Sequence, residues 1–479
     1  MLIGGEWRQA AAHEQLEVLN PATEAVLDTV PSGSREDVEL AVATAKRAFA
    51  EWSRTDVEKR AAILAKAAGL IEENAGELAA TLTSEQGKPL AEARGEVTHL
   101  AHGVRFYAET ATKVRGAYQE LPSAFGPAYG LVIRRPIGVC AAITPYNFPL
   151  TLLGTKVAPA LASGNTVVAK PAATTPLATL EVARLFAEAG LPEGVLNVVT
   201  GQGSVVGDAL VSHPDVRRVA FTGSTAVGRH VMSVAGPDLK RVTLELGGSD
   251  PVIVCADADV DAAVKAVIIG RYWNAGQACL GCKRVFIDDS VYDDFVSQLV
   301  ERVGRYEPGD GTVKAEKPKL RMGPIHTRTA RDELLEQIAD GVDKGGELLI
   351  GGGTGDHEKG FFLKPAVVAT PGEDSRLLRE EVFGPVLPVM RFRDFDDVLA
   401  RANDTPYGLG SSIWTHDARL IHRAANEIEA GMTWVNQIHY GYDELPFGGV
   451  KASGFGKEHG IEALDSYVDL KSVVVGGLE

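Results

Sequence analysis

The feature that most constrains this chain is an alternation that sets in near residue 130. Short apolar runs at 139–143, 166–169, 195–199, 219–221 and 242–246 are separated by helix-like segments at 150–161, 176–189, 204–212 and 225–234. Each connection is too long for a hairpin and carries helical periodicity, so successive strands should pair in parallel through right-handed crossovers. The runs are almost wholly apolar, as strands covered on both faces must be. The reading is an α/β fold with a doubly wound parallel sheet of the kind that holds a nucleotide.

Ahead of this sheet the pattern is mostly helical. Ser34 is a candidate N-cap with Asp37 three residues on, and Val38, Ala41, Val42, Ala45, Phe49 and Trp52 follow at helical spacing. Further helices are expected over 57–74 and 77–112, the latter broken around Gly87 and Pro89. Beyond residue 247 a second α/β unit is expected. Its helices lie near 260–273, 291–303 and 328–344, and its strands at 284–287, 348–350, 361–368, 386–392, 411–414 and 432–435, with a final strand at 472–475. Neither a repeat nor a low-complexity linker separates the units, so they should interleave.

Composition narrows the function classes. The 479 residues carry a formal net charge of -16 and no long basic run, the opposite of a phosphate-tracking protein, so no nucleic-acid partner is expected. Apolar stretches are too short to span a bilayer, which argues against a membrane partner. No basic segment followed by an apolar run opens the chain, and four cysteines do not make a disulfide framework; a cytoplasmic location is expected.

Ligands of open parallel sheets bind beyond the carboxyl ends of the strands. Those ends carry Thr144-Pro145-Tyr146-Asn147, Lys170-Pro171, Thr222-Gly223-Ser224-Thr225, and Glu245 followed by Leu246-Gly247-Gly248. An amide, an amine, a phosphate-sized loop and a carboxylate thus share one edge. The loop running from Thr222 to Gly228 opens a helix, whose free N–H groups favour an anion such as a pyrophosphate. Taken alone it reads equally as a capped turn, and Lys170 equally as a snorkelling surface lysine. Gly351-Gly352-Gly353 leads into another strand-like run and reads as a mobile hairpin loop.

Cys140 and Cys255 lie inside strand-like runs and read as inert core residues. Cys279 follows a helix among small residues, in Asn274-Ala275-Gly276-Gln277-Ala278-Cys279, which leaves its thiol reachable. Cys282 completes a Cys-x-x-Cys, but no second pair exists for zinc, so no metal is expected. A thiolate that attacks a carbonyl creates an oxyanion, for which the Asn147 amide and the Cys279 N–H are candidate donors. A thioester left behind needs a base to activate water, and Glu245 is the candidate.

These segments, in this order, resemble the aldehyde dehydrogenase superfamily. Pro145-Tyr146-Asn147-Phe148-Pro149, Lys170-Pro171, Phe221-Thr222-Gly223-Ser224-Thr225, Leu244-Glu245-Leu246-Gly247-Gly248 and Gly276-Gln277-Ala278-Cys279 are followed by Glu380-Glu381-Val382-Phe383-Gly384-Pro385 and Pro446-Phe447-Gly448-Gly449-Val450-Lys451. The resemblance implies oxidation of an aldehyde to its acid with NAD or NADP. Cys279 would be the nucleophile, Glu245 the base and Asn147 the oxyanion donor. Thr144, Lys170, Gly203, Gly207, Thr222, Gly223, Ser224, Gly228, Leu246, Glu381 and Phe383 would surround the cofactor. Lys156 and Asp469 occupy positions where some members carry a proton path. The resemblance also implies a dinucleotide-binding domain over 1–116 and 137–247 and a catalytic domain over 248–446. Residues 117–136 and 447–479 would form an oligomerisation element and tail, giving a homodimer or homotetramer.

Two departures bear on specificity. Tyr146 stands where many members have tryptophan, which should alter the substrate tunnel. Ala173 stands where members that prefer NAD often carry a glutamate, so the repulsion of a ribose 2′-phosphate is removed and NADP tolerance is expected. The substrate itself is open between aromatic, aliphatic and semialdehyde classes. Gly154, the neighbours of Cys279 and the loop 437–445 with His439, Tyr440 and Tyr442 are the expected determinants, and Arg105 is the one arginine within reach of a substrate carboxylate. The competing readings are a coenzyme-A-acylating dehydrogenase, which Glu245 argues against, and a catalytically silent protein, which Cys279 and Glu245 together argue against.

Overall fold

The computed structural model describes all residues except 123–125, 317–318 and 477–479. The alternation near residue 130 folds as expected. The strands Leu196–Val198, Thr166–Lys170, Val139–Ile143, Val216–Thr222 and Arg241–Glu245 lie side by side in that order, all parallel. Chain order therefore reverses between Val139–Ile143 and Val216–Thr222, and a crevice opens beyond their carboxyl ends.

The edges of this sheet were not expected. Leu2–Ile3 and Glu6–Trp7 close one side antiparallel, and Gly454–Phe455 pairs antiparallel with Arg241–Glu245 on the other. A hairpin, Gln15–Leu19 with Val26–Pro31, also precedes the first helix. These strands are too short or too exposed to show an apolar run. The tail assigned to oligomerisation thus divides, with residues 454–455 returning to the first sheet.

The helical layer follows the expected boundaries. Arg35–Trp52 starts from Ser34, whose Oγ accepts from the N–H of Asp37 while the Asp37 carboxylate accepts from the N–H of Ser34 at 2.8 Å. Such a reciprocal cap contributes about 1 kcal/mol. Val57–Glu73, Ala75–Gln86 and Leu90–Ala111 follow, and Gly87, at φ 103°, with Pro89 makes the break. Trp52, Leu64, Ile71, Leu82, Val97 and Leu100 bury their side chains with Leu150, Leu153 and Val157 of the helix Pro149–Ala162 in one core.

The second unit is a sheet in the order Glu347–Ile350, Ala366–Ala369, Val386–Phe392, Arg284–Asp288, Pro251–Val254, Gly410–Trp414 and Met432–Val435, parallel except for its first pair. Gly351–Gly353 lies in the connection between that antiparallel pair, and the expected strand over 361–368 is confined to Ala366–Ala369. A third, antiparallel sheet joins Val468–Gly476, Ala128–Pro136 and Ala117–Leu121.

Candidate active site

Register brings the strand ends into one row. Lys170 lies opposite Ile143, Ile143 opposite Phe221, and Thr222 opposite Glu245. Thr144 and Asn147 leave the central strand beside them, and the helix Pro149–Ala162 begins two residues after Asn147.

Cys279 comes to this edge from the second unit, on a loop held in an unusual conformation. Asn274, Ala275 and Gly276 all have φ between 51° and 72°, a region that costs a non-glycine residue about 1 kcal/mol or more. At Gly276 a Cβ would come within 2.3 Å of the Gly384 carbonyl oxygen, so only glycine fits. Side chains clasp the loop. The Asn147 amide donates to the Gln277 carbonyl at 3.1 Å, and the Asn274 amide donates to the carbonyls of Asn147 (2.9 Å) and Gln277 (3.1 Å). Gln277 donates to Asn274 O and Pro324 O and accepts from the N–H of His326. The amide of Asn147 thus lies two residues before the thiol.

The helical layer braces the same loops through buried charges missed in the sequence. Lys88 donates to Glu96 and, at 2.7 Å, to the Asn147 carbonyl. Glu96 accepts from the N–H groups of Leu150 and Thr151 at the start of the helix Pro149–Ala162, Glu92 from the N–H of Asn274 at 2.8 Å, and Glu85 from those of Leu177 and Ala178. Burial pushes Glu85 and Glu92 up to about 8. The signal was present: Lys88, Glu92 and Glu96 recur every fourth residue beside the apolar stripe of Ala93, Val97 and Leu100.

Glu245 and Cys279 face each other closely enough that each shifts the other's proton, although neither Glu245 oxygen meets a partner in hydrogen-bond geometry. Burial, then the negative charge of Glu458, raises Glu245 to about 8. Burial, then Glu245, raises the Cys279 thiol well above its usual range, against the opposing charge of Lys283. Lys283, also missed in the sequence, lies 3.6 Å from Glu381 and over the Phe383 ring at 5.1 Å. Glu381 accepts from the N–H of Gly248 at 3.1 Å, and a Cβ on Gly247 would strike its carboxylate.

The expectation for Asp469 is corrected. Asp469 lies on the exposed strand Val468–Gly476 and pairs with Arg241. The buried partner of Lys156 is Glu458, at 2.7 Å; Lys156 also donates to the Thr222 hydroxyl at 2.7 Å, and Thr155 donates to Glu458 at 2.8 Å. The tail folds back so that residue 458, eleven earlier, reaches the centre. The sequence held no marker of that turn.

The residues expected around a cofactor fall in two groups. Lys170, Thr144, Thr222, Gly223, Ser224, Gly228 and Leu246 gather at the sheet edge. Ser224 caps the helix Thr225–Ala235 and is exposed, and Gly228 packs so closely on Leu246 that a Cβ would clash. Glu381 and Phe383 lie across from them beside Lys283. Gly203 and Gly207 bound a π-helical turn after Leu196–Val198. The donor set fits a dinucleotide. Among the described residues, buried Lys170, lowered to about 8 by burial, meets only the Pro171 carbonyl, and the buried Thr144 hydroxyl has no partner. Both are donors in want of hydroxyl or phosphate acceptors.

A cavity of about 160 Å³ reaches the thiol from the other side. Phe148, Leu152, Trp273, Leu280, Tyr440 and Phe447 line it with His99, His439 and His459. Neither lysine nor arginine lines it among the described residues, and Arg105 instead pairs with Glu72 at 2.7 Å. Tyr146, expected in the tunnel, stacks on His326 (centroids 4.4 Å apart) with its edge to Phe383. Gly154 packs on Leu100, and Tyr442 lies behind Tyr440. A larger groove of about 540 Å³ near Arg8 and Arg184 contains none of the residues expected at the catalytic centre or around the cofactor. Cys282 is buried, and all four cysteines are free.

Comparison with known proteins gives the family. Residues 7–473 match the model of the aldehyde dehydrogenase family, and the chain belongs to that family. It is an NAD(P)-dependent aldehyde dehydrogenase. Among its relatives, phenylacetaldehyde dehydrogenase of Pseudomonas fluorescens is 43% identical over 99% of this chain and 95% of the relative. The NADP(+) succinate-semialdehyde dehydrogenase GabD of Escherichia coli is 39% identical over 99% and 97%. A crystal structure of succinate-semialdehyde dehydrogenase from Burkholderia pseudomallei superposes with a TM-score of 0.95 at 40% identity, covering 99% of this chain and 97% of that one.

Proposed function

We propose that this enzyme oxidises uncharged aromatic or medium-length aldehydes to their acids through a thioester on Cys279, which water then cleaves. The meeting of the Cys279 thiol with the otherwise unpartnered carboxyl of Glu245 carries the reading. The thiol proton passes to Glu245 as sulfur bonds to the carbonyl carbon, and the Asn147 amide with the Cys279 N–H steadies the oxyanion. NAD(P)+, when bound, supplies the acceptor for the hydride. Once Glu245 has passed that proton on, it takes another from water, whose oxygen displaces sulfur as the thiolate and releases the acid. The proton leaves by way of Glu458, Lys156 and Thr222. Lys170, Thr144 and the helix start at Ser224 hold the adenosine and pyrophosphate side, and Glu381 the nicotinamide ribose.

The cavity supports the substrate class. At about 160 Å³ it compares with the roughly 150 Å³ that accommodates benzene in an engineered core. A carboxylate there would be desolvated without a cation. Ala173 supports use of both NAD and NADP. The exposed Tyr118, Leu470 and Val474 of the third sheet support assembly into a homodimer or homotetramer.

Rapid mixing with phenylacetaldehyde and NAD, without coenzyme A, tests the reading. One equivalent of reduced cofactor per Cys279 should form in a burst, with phenylacetate released afterwards. A requirement for coenzyme A, or retained turnover in Cys279→Ser, would sink it.

A further inference from the structure

Beyond Cys279 the cavity ends in a cluster that the reaction does not use. Asp443, 3% exposed, accepts from His459 Nδ1 at 2.7 Å on one oxygen and from His102 Nδ1 at 2.6 Å on the other. His99 Nε2 lies 3.9 Å from the same carboxylate, and His99 Nδ1 lies 3.4 Å from the Tyr440 hydroxyl. Burial works to raise Asp443, but the hydrogen bond from His459 and the neighbouring imidazoles outweigh it and hold the carboxyl below its usual range.

An ionised carboxylate can only accept, so the bond fixes the proton of His459 on Nδ1. The Nε2 of the same ring has no hydrogen-bond partner among the described residues and is not sealed off. His459 lines the cavity with Phe447, whose ring lies 5.5 Å away. The cavity wall also includes the backbone of Gly95, Gly270 and Gly441, the polar Thr151 and the Glu96 carboxyl, which Lys88 and backbone N–H groups hold. An oriented, unpaired ring nitrogen thus stands in a pocket of ring-sized volume.

We infer that His459, positioned by Asp443, is a subsite for a hydroxyl group on the substrate, so that the enzyme favours aryl aldehydes with a ring hydroxyl remote from the aldehyde. This rests on the aromatic reading above. The hydroxyl, which can both donate and accept, hydrogen-bonds with Nε2 and offsets its own desolvation. A methyl group of similar size would leave that nitrogen facing carbon.

The test compares phenylacetaldehyde with its para-methyl and para-hydroxy analogues near neutral pH, where a phenol (pKa about 10) keeps its proton. We expect kcat/KM for the hydroxy compound to exceed that for the methyl compound by about tenfold. His459→Phe, which keeps a ring, should bring the ratio near one. Asp443→Asn, which frees the tautomer but keeps the shape, should lower it about threefold. The hydroxyl preference should sit in KM, and EDTA should not change it. Equal rates for hydroxy and methyl compounds in the wild type, an unchanged ratio in both variants, or a preference that EDTA abolishes would each overturn the subsite. Failure to oxidise any of the three would instead overturn the aromatic reading on which it rests.

Discussion

The two sides of Cys279 are built on opposite principles. Toward the sheet edge lie Lys170, Lys283, Glu381, Glu245 and the Lys156–Glu458 pair, all largely buried and most held by specific partners. Toward the cavity lie Phe148, Leu152, Trp273 and Phe447, with the imidazoles of His99, His439 and His459 and the Glu96 carboxyl held by Lys88 as the main polar groups. On the proposed mechanism, charge lies where protons would move and free cations are kept from where the substrate body would sit, an arrangement that would let one cleft do ionic chemistry while disfavouring anionic substrates. Desolvation strengthens both effects.

The sharpest way to break this comparison is at the thiol. Cys279→Ser should lower kcat by on the order of 10⁴ or more with cofactor affinity retained by titration, because the site around Lys170 does not depend on sulfur. On the charged side, Glu245→Gln should lower turnover about 10²- to 10³-fold and let acyl-enzyme accumulate, read by intact mass. Wild-type turnover should rise as pH passes about 8, where Glu245 loses its proton and becomes a base; this limb should vanish in the variant. On the apolar side, kcat/KM for phenylacetaldehyde should exceed that for succinic semialdehyde by about 10², since an unpaired carboxylate must be desolvated. Comparable efficiencies would mean that the cavity admits a cation from elsewhere. The smallest effect is expected at the rim: Ala173→Glu should reduce kcat/KM for NADP about tenfold and spare NAD, measured by initial rates.

The same division explains what the sequence could reveal. The parallel sheet was legible because its strands are continuous apolar runs, and Lys170, Thr222 and Glu245 were legible because strand ends are readable positions. Asn147 and Cys279 were joined on chemical grounds and by the family resemblance, because their meeting depends on how two units dock, which no spacing records. Tyr146 was misplaced because its ring turns toward His326, a partner with no sequence mark. Asp469 was chosen over Glu458 because spacing cannot show that the tail doubles back before its last strand. The edge strands escaped because two-residue pairings leave no periodicity.

That doubled-back tail has a consequence for synthesis. A chain emerging from the ribosome possesses the proposed nucleophile and base by residue 279, yet the carboxylate that completes the Lys156 pair is still almost two hundred residues from translation. Until it arrives, that lysine would be entombed without a counter-charge, a state costing several kcal/mol. The reactive half therefore cannot settle as a finished enzyme in advance of its C-terminal stretch, and early release of a competent, aldehyde-consuming fragment is disfavoured by electrostatics alone.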